Sequence, residues 1–131
     1  MIALDTNVLV RFLVKDDEVQ TRRVVGLMKR AQERNEVLYV SEVVLCELVW
    51  VLETSYGVGR EEIAANMAKL LRARQLGFRN ADLVARALDA YQIGRGDFAD
   101  YLIREDALLA GADVVATFDK ALLRDRGFRL P

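Results

Sequence analysis

Short apolar runs alternate along this chain with longer stretches of helical periodicity. Ile2-Ala3-Leu4 is too short and too apolar for a surface helix and reads as a buried strand, broken by Asp5-Thr6-Asn7. Thr6 and Asn7 can cap the following helix, Asp5 is either part of that cap or a site carboxylate, and Thr6 to Leu13 then reads as a short helix ended by Lys15-Asp16-Asp17. A long amphipathic helix is predicted from about Glu18 to Arg34, with Val24, Val25, Leu27, Met28 and Ala31 inward and arginines on the opposite face. Val37 to Val40 is rich in strand formers, and Ser41 caps a helix from Glu42 to about Tyr56.

That helix is apolar on nearly every side, and Glu47 alone interrupts the run from Val43 to Leu52. Either a narrow stripe is exposed or a carboxylate is held inside. A buried charge is costly unless paired, so an interior Glu47 requires a partner or a metal. Further on, Arg60 to Ala73 is amphipathic, Leu76 to Arg79 is extended, and Asn80 caps a helix to about Ile93. Gly94-Arg95-Gly96 reads as a flexible turn into a helix that runs from Asp97 to about Ala110. Asp97 and Asp100 share one face at the start of that helix, where Asp97 is an N-cap candidate and Asp100 stands four residues before Arg104. Val114 to Thr117 has a buried-strand pattern, Asp119 follows its carboxyl end, and a short helix from Lys120 to Asp125 and a strand at Phe128 to Leu130 complete the chain.

Strands separated by helices predict the α/β class with a central, mainly parallel sheet, whose crossovers bring successive strand ends to one edge. That edge is where open α/β sheets bind ligands. Asp5 and Asp119 end strands in the same way, and Glu47 and Asp100 reach the edge from helices packed over it. Thr117 offers either a hydroxyl to this pocket or only a β-branched strand residue.

The size, 131 residues, suits one domain over 1–131, and 53% hydrophobic with 30% charged residues is a folded, soluble mix. No basic region precedes an apolar stretch at the amino end, so secretion and membrane insertion are not expected. The single cysteine, Cys46, lies in an apolar run and fits core packing in a reducing cytoplasm. A net charge of −1 gives no nucleic-acid signal by itself. The absence of histidine is more informative, because it removes imidazole as base, nucleophile partner or metal ligand. Carboxylates crowded together repel unless cations offset them, and an all-oxygen set suits Mg²⁺ or Mn²⁺. Such a site supports phosphodiester hydrolysis.

Asp5-Thr6-Asn7, Glu47 in an apolar helix, Asp97 to Ile103 as Asp-Phe-Ala-Asp-Tyr-Leu-Ile, and Thr117-Phe118-Asp119 together resemble the PIN-domain nucleases, specifically the VapC-type toxins of toxin-antitoxin pairs. The resemblance spans essentially the whole chain. It implies a three-layer fold with the central sheet flanked by helices, a Mg²⁺-dependent (or Mn²⁺-dependent) endoribonuclease acting on RNA, a homodimer, and a VapB-type antitoxin. By motif position Asp5, Glu47, Asp100 and Asp119 carry over as the catalytic, metal-binding acids, with Asp97, Thr117 and Asn7 as possible additions. Tyr101 and Arg104-Glu105-Asp106 stand where small residues often follow the third acid, which alters the local groove. A receiver domain fails on order, since the middle strand ends in Ser41 where a phosphate-accepting Asp is required. A catalytically silent interaction module and a solitary housekeeping nuclease are the remaining alternatives.

Overall fold

The computed structural model describes all 131 residues. They form two compact units, Met1–Ala81 and Asp82–Pro131. The α/β class and the parallel pairing are as the pattern predicts, with six α-helices set between five short strands. The pairing resolves into two parallel ladders, one in each unit.

In the first unit, β1 (Ile2–Ala3), β2 (Leu38–Tyr39) and β3 (Leu76–Gly77) lie side by side in sequence order, with Ile2 opposite Leu38 and Leu38 opposite Leu76. Helices α1 (Thr6–Val14) and α2 (Glu18–Glu33) connect β1 to β2, and α3 (Glu42–Thr54) and α4 (Arg60–Arg72) connect β2 to β3. The predicted buried first strand needs correction. Ile2 and Ala3 are exposed and only Leu4 is buried, because β1 is the outer strand of its ladder and is covered on fewer sides. Leu9, Leu38, Leu45, Leu48, Leu52, Ile63 and Met67 are almost fully buried. Fully burying a side chain of this size contributes roughly 1.5–3 kcal/mol.

Helix ends follow their local chemistry. Ser41 caps α3 by accepting from the Val44 N–H at 3.2 Å, and Asp17 caps α2 by accepting from the Gln20 N–H at 2.9 Å. Helix α1 stops when Lys15 takes the left-handed conformation at φ 60°, its N–H still donating to the Arg11 carbonyl. Cys46 is half-buried, and burial, with a smaller effect from Glu42, pushes its thiol up to about 11. Its thiolate fraction at pH 8 is therefore roughly 100-fold below that of a free thiol. Alkylation by iodoacetamide at that pH is expected to be correspondingly slow in the folded protein and fast in urea; equal rates in both would contradict the burial.

The second unit holds α5 (Ala81–Ile93), α6 (Phe98–Leu109), β4 (Val115–Ala116), a 3₁₀ turn at Leu122–Arg124 and β5 (Phe128–Arg129). The predicted helix from Lys120 to Asp125 is thus reduced to that single turn. Strands β4 and β5 are parallel, with Val115 opposite Phe128. Tyr91 and Phe98 are both buried and meet edge-to-face, their centroids 6.1 Å apart at 89°, which locks the start of α6 to α5. No helix of the chain is long and apolar enough to cross a membrane.

The Gly94-Arg95-Gly96 turn is close-packed, not flexible. A Cβ on Gly94 would lie 1.9 Å from the Tyr101 hydroxyl, and one on Gly96 would lie 2.4 Å from Leu122. Glycine is required because Tyr101 runs directly beneath the turn: its hydroxyl accepts from the Gly96 N–H at 3.0 Å and donates to Asp125. Tyr101 is only 1% exposed, so it is part of the core and does not reshape a surface groove.

Candidate metal centre

Asp5 leaves the carboxyl end of β1 in extended conformation, φ −81° and ψ 162°, and is itself the N-cap of α1, its Oδ1 accepting from the Thr6 N–H at 2.8 Å. Of the cap candidates Asp5, Thr6 and Asn7, it is Asp5 that serves, because the chain turns into the helix at Thr6. One carboxylate oxygen serves the helix, and the residue remains exposed. Thr6 is buried, and its Oγ1 has no hydrogen-bond partner. An unsatisfied buried hydroxyl costs about 1–3 kcal/mol, so an oxygen with unused bonding capacity adjoins Asp5 in the chain. Asn7 is exposed and lines a surface hollow with Val8, Arg11, Gln20 and Arg23.

Glu47 lies on α3, a helix packed against α1. Of the two outcomes the sequence allows, the exposed stripe is the one formed: Val43, Glu47 and Trp50 all face solvent, with Val43 68% and Trp50 65% exposed. Leu45, Leu48, Val49 and Leu52 take the buried side. An interior carboxylate is thereby corrected to a surface one. Its composition left the stripe undecided, since a helix apolar all round carries no moment to orient it.

In the second unit the Gly94-Arg95-Gly96 turn and the Phe98 anchor place Asp97 as N-cap of α6, in extended conformation at φ −77° and ψ 156°. Asp100 reaches back one turn, its Oδ2 accepting from the Asp97 N–H at 2.9 Å, as in a capping box. Asp100 is half-buried, and burial is the largest cause holding its carboxyl above the ordinary range. The bond from Asp97 N–H pulls the other way, and the charges of Asp97 and Asp119 push it further up.

Asp119 sits in a short turn after β4. Its N–H donates to Thr117 Oγ1 at 3.0 Å and its Oδ1 accepts from the Ala121 N–H at 2.9 Å. Thr117 is half-buried, and its hydroxyl is engaged in shaping this turn. Arg104 does not pair with Asp100. It holds the buried Glu105 at 3.2 Å together with Arg86 at 3.1 Å, and its guanidinium stacks over Tyr101 and Phe128. Asp100 is therefore left without that cation. Tyr101 and Arg104 brace the start of α6, which carries Asp97 and Asp100, and spacing alone did not identify them; the aromatic following Asp100 beside a Gly-x-Gly turn is the signal in the chain.

Asp5 and Glu47 thus belong to the first unit and Asp97, Asp100 and Asp119 to the second. No three acidic side chains stand at metal-ligating separation from one another. The donor chemistry nonetheless fits a hard divalent cation: carboxylate and hydroxyl oxygens, no imidazole, and a like-charge set around Asp100 that a cation would neutralise.

The charge crowding has a direct consequence in the metal-free protein. Asp100→Asn keeps an oxygen to accept from the Asp97 N–H while removing the charge that burial, Asp97 and Asp119 disfavour. Solvent screening limits the gain to roughly 0.5 kcal/mol, a rise in melting temperature of about 1–3 °C in chelator. A lower melting temperature would speak against the crowding.

A PIN-domain family model matches residues 2–127 of the chain. The chain is also similar to a VapC ribonuclease from Aquifex aeolicus (strain VF5), 28% identical over 120 residues that cover 92% of this chain and 88% of that protein.

Proposed function

Because the chain belongs to the PIN-domain family, we propose that it is a single PIN domain acting as a metal-dependent endoribonuclease, the toxin of a VapBC-type toxin-antitoxin pair. The observation that carries this reading is a half-buried Asp100 that heads α6, held by the Asp97 N–H and disfavoured in its charged form by Asp97 and Asp119, in a chain that has no histidine. A bound cation would relieve the like-charge effect that disfavours the ionised form of Asp100. The similarity to a VapC ribonuclease supports RNA as substrate and, through the family, a homodimer neutralised by a VapB-type antitoxin.

Asp5, Glu47, Asp100 and Asp119 would hold Mg²⁺ or Mn²⁺ in this reading. When bound, the ion supplies water activation and charge neutralisation for phosphodiester hydrolysis. The chain's own part is positional. The N-cap bond of Asp5 to the Thr6 N–H and the turn bond of Asp119 to the Ala121 N–H each fix one carboxylate oxygen and with it the plane of the group. The Asp97 N–H holds one Asp100 oxygen and favours its charged form against the effects of burial. Asp97 acts here as the donor that orients Asp100.

Incubating the purified protein with end-labelled single-stranded RNA tests the reading. Cleavage is expected with Mg²⁺ or Mn²⁺ and is expected to cease on adding excess chelator; cleavage that persists in chelator would overturn the metal mechanism. A neighbouring reading frame for a small protein with a DNA-binding amino end and an arginine-containing tail supports the toxin role. Without one, a solitary housekeeping nuclease is favoured.

A further inference from the structure

Phe118 is the most exposed aromatic residue of the chain, at 81%, against 65% for Trp50. Leaving a ring of that size in water forgoes roughly 1.5–3 kcal/mol of burial. Its backbone is well held nevertheless. On one side Thr117 N–H donates to the Arg129 carbonyl at 2.9 Å; on the other, Asp119 is fixed by Thr117 Oγ1, by the Ala121 N–H and by the Leu122 N–H at 3.1 Å. The ring is thus presented by an ordered turn. Lys120, also exposed, follows Asp119 directly. An aromatic face and an ammonium therefore flank, in the chain, an acid whose charge is felt at Asp100.

We propose that Phe118 is a stacking platform for one unpaired base of the RNA and that Lys120 contacts an adjacent phosphate. This rests on the ribonuclease reading given above. The chemistry favours nucleic acid over protein as the occupant. A protein-binding aromatic is ordinarily set among other apolar residues at the centre of its patch. Phe118 has Thr117, Asp119 and Lys120 as its chain neighbours, so the turn that presents the ring carries polar and charged residues, the composition that binds a base and its phosphate. A paired base offers no free face, so stacking here requires an unpaired one. Lys120 also offsets the repulsion between acids and phosphate.

Steady-state cleavage of a labelled single-stranded oligoribonucleotide, alone and annealed to its complement, decides the matter. Phe118→Ala is expected to raise KM about 10-fold, with kcat changed less than threefold and the preference for the single strand reduced. Phe118→Trp is expected to restore KM, and Phe118→Leu, apolar but without a ring, is not. Lys120→Gln is expected to lower the slope of log affinity against log salt by about 0.7. Unchanged KM in Phe118→Ala, or equal rescue by Leu and Trp, overturns the proposal. Should the parent protein cut nothing, the ribonuclease reading falls while the stacking proposal is still decided, by anisotropy of the same oligonucleotide in Ca²⁺: a weaker complex with Phe118→Ala supports it, an equal one overturns it. A change of solution mass in Phe118→Ala with RNA affinity intact would make the ring a protein contact and also overturn it.

Discussion

Asp5→Asn is expected to lower metal-dependent RNA cleavage on the order of 10²- to 10³-fold, the scale of removing one preorganised electrostatic group from a reaction centre. The fold should hardly register the change. Asp5 uses one oxygen to accept from the Thr6 N–H at 2.8 Å, and asparagine keeps an oxygen there and ranks with aspartate as an N-cap. What it loses is charge, worth at most a few tenths of a kcal/mol at an exposed helix N-terminus but decisive for holding a divalent cation. Asp5→Ala, by contrast, loses the cap as well and is expected to cost about 1 kcal/mol of stability. Initial rates at saturating Mg²⁺, with melting curves of both variants, separate the two roles. Asp5→Asn activity within tenfold of the parent would remove Asp5 from the metal site.

Phe98→Ala is expected to destabilise the protein by about 3–5 kcal/mol, a large share of the ~5–15 kcal/mol typical of a domain. Phe98 is 1% exposed and forms the edge-to-face pair with Tyr91. It follows Asp97 directly, so the cavity opens beneath the helix start that carries both Asp97 and Asp100. Metal affinity is expected to fall along with the urea midpoint. Phe98→Leu retains most of the volume and is expected to cost much less. A loss under 1 kcal/mol for Phe98→Ala would mean that the anchor is not where the second unit's stability resides.

The legible parts of this protein are those written in short-range pattern. Alternation of apolar runs and helical periods placed the helices within a few residues, because side-chain spacing and secondary structure share the same period. Ser41 and Asp97 read correctly as helix starts, since a cap needs only its own next three residues. The candidate acids were legible as a set for a different reason: with no histidine and one half-buried cysteine, carboxylates were the remaining chemistry.

The positions that local pattern left open or misread share one cause. Glu47 turned outward because the packing of neighbouring helices, not the composition of α3, chooses which stripe of an apolar helix is covered. Gly94 and Gly96 read as flexible because a close approach by Tyr101 cannot be seen from within the turn. The spacing of four allowed Arg104 to pair with Asp100, but Arg104 is engaged by the buried Glu105 and by the ring faces of Tyr101 and Phe128.

By itself, then, the sequence determined the α/β class, the parallel order of strands and helices, the strand-ending position of Asp5 and the oxygen-only character of any site, all of which follow from local period and residue chemistry. The tertiary structure alone decided that Glu47 is exposed, that Tyr101 closes the Gly94-Arg95-Gly96 turn, and that Asp119 bears on Asp100. Burial and electrostatic coupling depend on residues distant in the chain, and only packing brings those together.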